Sequence, residues 1–223
     1  MKPLLQRPLL SYLVIISAMQ LVTVGMYNVL RLWFPQLSTI VEHYKLDGNQ
    51  NLCELLDSYT TGEKLRISNL PLNSTEPCVP HVSGTETYVN SIIIGLACIA
   101  SNFIGGVIVN KMGKKRLMFV TTIISIGSLL GIKWASSKAM MVALFSIALA
   151  VMQTMKGLIL AVLVEIFPTT MRTLAMSLVM SLARAGTLFG NIGFPILLDS
   201  GCEILFYTMT AMMVGLIVLS IFT

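Results

Sequence analysis

The sequence predicts an all-α membrane protein of six transmembrane helices, and three observations carry that reading. Hydrophobic residue types make up 55% of the 223 residues and charged types only 11%, where an ordinary soluble domain carries roughly a quarter charged. The mean hydropathy is +0.82. The charges also punctuate the chain at bilayer spacing, leaving uncharged runs at 8–30, 87–110, 117–132, 139–155, 157–164, 173–183, 185–198 and 204–223. These merge into six spans of about 20 residues or more, enough to cross ~30 Å of hydrocarbon, once Lys156 and Arg184 are taken as single charges inside longer helices. The net charge of +5 is scattered over the flanks of the spans, which excludes a basic nucleic-acid-binding face.

The first span is placed at 9–34. It follows the basic residues Lys2 and Arg7 and closes on Arg31-Leu32-Trp33-Phe34-Pro35, an interfacial anchor. Its 23 uncharged residues are too many for a signal-peptide core, and no small-x-small cleavage pattern follows. Gln20, Thr23, Tyr27 and Arg31 form a polar stripe along it, with Arg31 near enough to the end either to snorkel or to touch a solute. Residues 38–86 form a long polar loop carrying the glycosylation sequon Asn73-Ser74-Thr75 between Cys53 and Cys78. A Cys53–Cys78 disulfide suits an oxidising compartment, with Cys202 as a competing partner on the same face. His43 and His81 have no companion ligands, so no metal site is expected.

The remaining spans are placed at 87–110, 117–135, 139–164, 173–198 and 204–222. Cys98 in the second reads as a small packing residue, and the methionines, Met152 and Met155 among them, as adaptable packing. The fourth holds Gln153 and Lys156 one helical turn apart, and Lys156 lies nine residues, roughly 13 Å of rise, from Glu165 at the helix end. A charge at that depth costs about 2.5 to 3.5 kcal/mol on insertion scales, so it calls for a reason. The fifth span repeats the pattern with Ser177, Ser181, Arg184 and Asn191 along one stripe interrupted by Leu188. Such stripes predict three or four helices around an aqueous path, with the third and sixth spans outside it as support.

Orientation follows from Lys and Arg in the short connections. Lys2, Arg7, Lys111, Lys114, Lys115, Arg116 and Arg172 lie on one side, against Lys133 and Lys138 on the other. The positive-inside rule therefore places both termini in the cytoplasm and the 38–86 loop outside or in a lumen. Two connections carry motifs. Gly106-Val-Ile-Val-Asn110-Lys111-Met112-Gly113-Lys114-Lys115 is a glycine approach followed by a tight basic turn, whose cations cap helix ends or meet anionic lipid headgroups. In Glu165-Ile-Phe-Pro168-Thr-Thr-Met-Arg172 the proline stops a helix, and Glu165 and Arg172 are placed to clasp each other.

The first motif resembles the cytoplasmic loop signature of the major facilitator superfamily, Gly-x-x-x-Asp-(Arg/Lys)-x-Gly-(Arg/Lys)-(Arg/Lys). The second resembles the Glu-x-(Phe/Tyr)-Pro-Thr-x-x-Arg element of its sugar and organic-ion transporters. With Trp33-Phe34-Pro35, the cysteine-bearing loop, Ala183-Arg184-Ala-Gly186 and Pro195, the branch most resembled is the synaptic vesicle glycoprotein 2-like and organic-ion carriers. The resemblance covers nearly the whole chain as spans seven to twelve, and implies half of a twelve-helix fold built of two inverted three-helix repeats. Asn110 departs from it, standing where the family pattern has Asp.

The function implied is transport of a small organic solute by alternating access, together with a missing amino-terminal six-helix bundle or a second copy of the chain. Lys156 and Arg184 on the cavity wall favour an organic anion, with Gln153, Tyr27 and Asn191 as polar neighbours. The competing expectation is a membrane partner or vesicle-associated regulator that does not transport. No catalytic set, metal cluster or phosphate loop is visible, so neither an enzyme nor a cofactor is expected.

Overall fold

The computed structural model describes residues 9–43, 51–68 and 85–221. They form seven helices: α1 (Leu9–His43), α2 (Leu52–Ser68), α3 (Thr85–Met112), α4 (Lys114–Lys133), α5 (Lys138–Ile166), α6 (Thr169–Ser200) and α7 (Cys202–Ile221). All but α2 are long and apolar enough to cross a membrane, and they correspond in order to the six expected spans. Lys2, Arg7, Asn73, Cys78 and His81 lie outside the described residues.

Two boundaries differ from expectation. The first helix does not end near Pro35 but continues through it to His43. Proline withdraws one backbone donor there, and burial of Leu37, Ser38, Ile40 and Val41 keeps the helix going beyond it. The segment expected as polar loop also contains α2. Leu52, Cys53, Leu55 and Leu56 are buried while Glu54 and Lys64 are exposed, a local apolar cluster that a search for uncharged runs overlooks.

That helix caps one face of the bundle. Leu52 donates its backbone N–H to Ala135 at 3.1 Å, Asp57 Oδ1 accepts from the Cys202 N–H at 2.9 Å, and Lys64 pairs with Asp199 at 3.3 Å. Cys53 is disulfide-bonded to Cys202. This corrects the expected Cys53–Cys78 pairing: α2 lays its apolar face over the start of α7, which brings the two Cα atoms to 5.2 Å.

The bundle is built of two three-helix units, α1-α3-α4 and α5-α6-α7, in which the first helix of each packs against the middle helix of the other. The α1 and α6 helices run parallel, with Gly25 against Gly186 and Val29 against Gly190, and Trp33 stacked on Phe194 at 4.9 Å. All three pairs keep the same sequence offset. The counterpart, α3 on α5, is also parallel: Glu86 meets Lys138 at one end and Ser101 meets Thr154 at 2.7 Å halfway along. Glycine closes both contacts, Gly186 beneath Leu21 and Gly105 beneath Thr154, which lets the backbones approach without a hydrophobic drive from surrounding lipid. The antiparallel pairs α1 with α5 and α4 with α7 join the units, through Phe34 on Phe145 at 5.3 Å and Lys133 on Glu203 at 2.8 Å.

Candidate functional site

A cavity of about 470 Å³ opens between α1, α3 and α5. The α1 helix supplies Tyr27, Arg31, Phe34 and Pro35, because residues 27, 31 and 34 recur on one helical face. The α3 helix contributes Ser91, Gly95, Cys98 and Asn102 at the same spacing, together with Ile94 and Ile99, and α5 contributes Leu149 and Gln153. One part of the wall is apolar, and the other part is polar and cationic.

Next to the cavity, the Lys156 ammonium sits 4.0 Å from the centroid of the buried Tyr27 ring. The Tyr27 hydroxyl faces the Arg31 guanidinium and the Cys98 thiol. Gln153 is one turn before Lys156, and its buried Oε1 has no hydrogen-bond partner among the described residues. Two cations therefore converge on one aromatic ring. Every described acid on the spanning helices, Glu42, Glu86, Glu165, Asp199 and Glu203, lies at a helix end. A desolvated cation–π contact returns about 2 kcal/mol or more, against the 2.5 to 3.5 that burying the charge costs. An anion in the cavity would make up the difference and relieve the repulsion between Arg31 and Lys156.

Three of the five expected binding residues, Tyr27, Gln153 and Lys156, come together here. Arg184 and Asn191 do not line this cavity. Arg184 is on an exposed strip of α6 with Ser177, Ser181 and Leu188, where both serine hydroxyls donate to the carbonyl four residues earlier. Asn191 Oδ1 is buried without a partner among the described residues. The sequence alone leaves Arg31 between snorkelling and solute contact and gives Cys98 as packing, whereas both line the cavity. The signal for the α3 wall was present in the small and polar residues Ser91, Gly95, Cys98 and Asn102, four, three and four apart.

The two loop motifs meet at the opposite end of the bundle from α2. Gly113, at φ 80°, makes the turn between α3 and α4 in a conformation that glycine tolerates, and its N–H caps α3 by donating to Val109 at 3.0 Å. Lys114 then pairs with Glu165. The expected Glu165–Arg172 clasp is thus replaced by a bridge between the motifs, because the α3–α4 turn carries Lys114 to the end of α5. Arg172 Nε is buried without a partner among the described residues. Pro168 is the residue before α6, and its carbonyl accepts from the N–H groups of Met171 and Arg172. Gly106 was expected to make the close helix approach, but a side chain there would meet open space and Gly105 makes the contact. Asn110 and Lys115 are exposed.

Comparison with known proteins adds one positive result. The model of the Major Facilitator Superfamily matches residues 80–223, which takes in α3 to α7 and leaves α1 and α2 outside the match. No curated protein matches the chain.

Proposed function

On the premise that the chain belongs to the Major Facilitator Superfamily, and so to a family of membrane transporters, we propose that it carries a small organic anion in the cavity between α1, α3 and α5. The observation that supports this most is the Lys156 ammonium, 4.0 Å over the Tyr27 ring beside Arg31 and with no carboxylate among the described residues to neutralise either. A cavity of about 470 Å³ is in the size range of sites for small organic molecules. Phe34, Pro35, Ile94, Ile99 and Leu149 offer it an apolar wall, and Gln153 an unused acceptor.

On this reading the anionic group lies between Arg31 and Lys156, with the apolar body towards Phe34 and Leu149. The exposed strip of Ser177, Ser181 and Arg184 turns towards a second six-helix bundle, in a longer chain or a second copy, and the two bundles rock about the solute. The loop motifs favour the organic-ion, synaptic vesicle glycoprotein 2-like branch as the nearest pattern for such a substrate.

The test is equilibrium binding of radiolabelled benzoate, hexanoate and tetraethylammonium to the protein reconstituted in liposomes. Binding of either carboxylate, lost by tenfold or more in Lys156→Gln and in Arg31→Gln, supports the reading. Preference for tetraethylammonium, or carboxylate binding indifferent to both substitutions, overturns it.

A further inference from the structure

We propose that a groove between the start of α4 and the end of α7 binds the headgroup of one anionic phospholipid. The groove has a volume of about 410 Å³ and is lined by Met112, Lys115, Arg116, Phe119, Val120 and Ser220. Two helices fix its depth independently. Lys115 and Arg116 lie in the first turn of the span Lys114–Lys133, and Ser220 ends the span Cys202–Ser220. Both place the groove at the border of the hydrocarbon, where lipid phosphates reside.

The charges here are divided between two uses. Lys114 is taken up by Glu165, whereas Lys115 and Arg116 have neither an ion pair nor a hydrogen bond among the described residues. The amino-terminal end of α4 adds its own positive potential beside them. Immediately deeper, Met112, Phe119 and Val120 are exposed, and Ile123 and Ile124 carry the apolar strip one turn further into the membrane. Cations at the border with a greasy track below complement a phosphodiester with acyl chains attached. A soluble phosphate would leave the track uncovered. The positive-inside expectation puts this face in the cytoplasmic leaflet, where anionic lipids concentrate.

The experiment is native mass spectrometry of the full chain released from nanodiscs holding equal amounts of phosphatidylserine and phosphatidylcholine. The wild type is expected to retain at least one phosphatidylserine in preference to phosphatidylcholine. Lys115→Gln/Arg116→Gln should lower the lipid-bound to lipid-free ratio by roughly 30-fold, from two basic side chains each attracted to an anionic leaflet by about a factor of five. Lys115→Arg/Arg116→Lys should keep most of it. Retention of phosphatidylserine that ignores the double neutralisation, or equal retention of phosphatidylcholine, overturns the proposal. So does displacement of the lipid by millimolar glycerophosphoserine, which would mark the groove as a site for soluble phosphoesters.

Discussion

The Lys156 ammonium lies 4.0 Å from the centroid of the Tyr27 ring, so that the deepest cation of α5 rests on the face of an aromatic residue from α1. The contact joins the two three-helix units at the cavity, and sets about 2 kcal/mol or more against a burial cost of about 2.5 to 3.5. From this imbalance the first prediction follows. Lys156→Met should stabilise the protein by about 1 kcal/mol at most, the difference between an insertion cost of 2.5 to 3.5 and a cation–π return of about 2 or more, while abolishing carboxylate binding. Tyr27→Phe keeps the ring and should retain binding within a few-fold, and Tyr27→Leu should not. Thermal unfolding in detergent and the binding assay read the two effects separately. A Lys156→Met protein that melts earlier than wild type would assign the lysine a structural role.

The Cys53–Cys202 bond ties α2 across the start of α7, over a sequence separation of 149 residues. Removing a native disulfide costs about 2 to 5 kcal/mol, much of it through greater freedom of the unfolded chain. Cys53→Ser, Cys202→Ser and the double substitution should therefore lower the melting temperature alike, with little added by combining them. Cys78→Ser should leave it unchanged. Non-reducing peptide mapping reads the connectivity directly: a peptide containing Cys53 linked to one containing Cys78 would refute this arrangement.

Between the loop motifs, the Lys114–Glu165 ion pair is more than half exposed on its glutamate side, and exposed pairs contribute only about 0 to 1 kcal/mol. Glu165→Gln should thus shift the melting temperature barely, and the charge-exchanged protein Lys114→Glu/Glu165→Lys should recover whatever is lost. Its sensitivity to salt is the check. A loss that persists unchanged at 1 M salt, where the Debye length is about 3 Å, would mean that packing rather than charge is at stake.

The number and order of the spans were legible in the sequence because hydrocarbon thickness and the cost of a buried charge act on every residue without regard to neighbours. Lys156 stood out for the same reason, and Gln153 and Tyr27 followed from helical spacing. What the sequence concealed was set by contacts between distant segments. The partner of Cys53 depends on where α2 lies, and α2 was hidden because its charges masked the Leu52, Leu55 and Leu56 face. Glu165 meets Lys114 because a glycine turn carries Lys114 across to it, not because of spacing within its own motif. Arg184 has the composition of a site residue, yet α6 presents it on a face away from the cavity that α1, α3 and α5 enclose.

The neighbouring glycines of α3 give the sharpest test of the packing. A Cβ at Gly105 would stand 2.5 Å from Thr154 Cγ2, whereas one at Gly106 would touch nothing within 4 Å. Alanine gains up to about 1 kcal/mol over glycine in a helix, and overpacking costs about 1 to 3. Gly106→Ala should accordingly be neutral or mildly stabilising, and Gly105→Ala destabilising by up to about 2 kcal/mol. The clash is with a β-branched methyl that has little rotamer freedom, so Thr154→Ser should relieve it while keeping the hydroxyl that bonds Ser101. In the symmetry-related contact a Cβ at Gly186 would meet the Leu21 carbonyl oxygen at 2.8 Å, which no side-chain change can move. Gly186→Ala should therefore cost more than Gly105→Ala and resist rescue by Leu21→Ala. Thermal unfolding of the five variants decides it, and equal behaviour of Gly105→Ala and Gly106→Ala would refute the parallel α3–α5 contact.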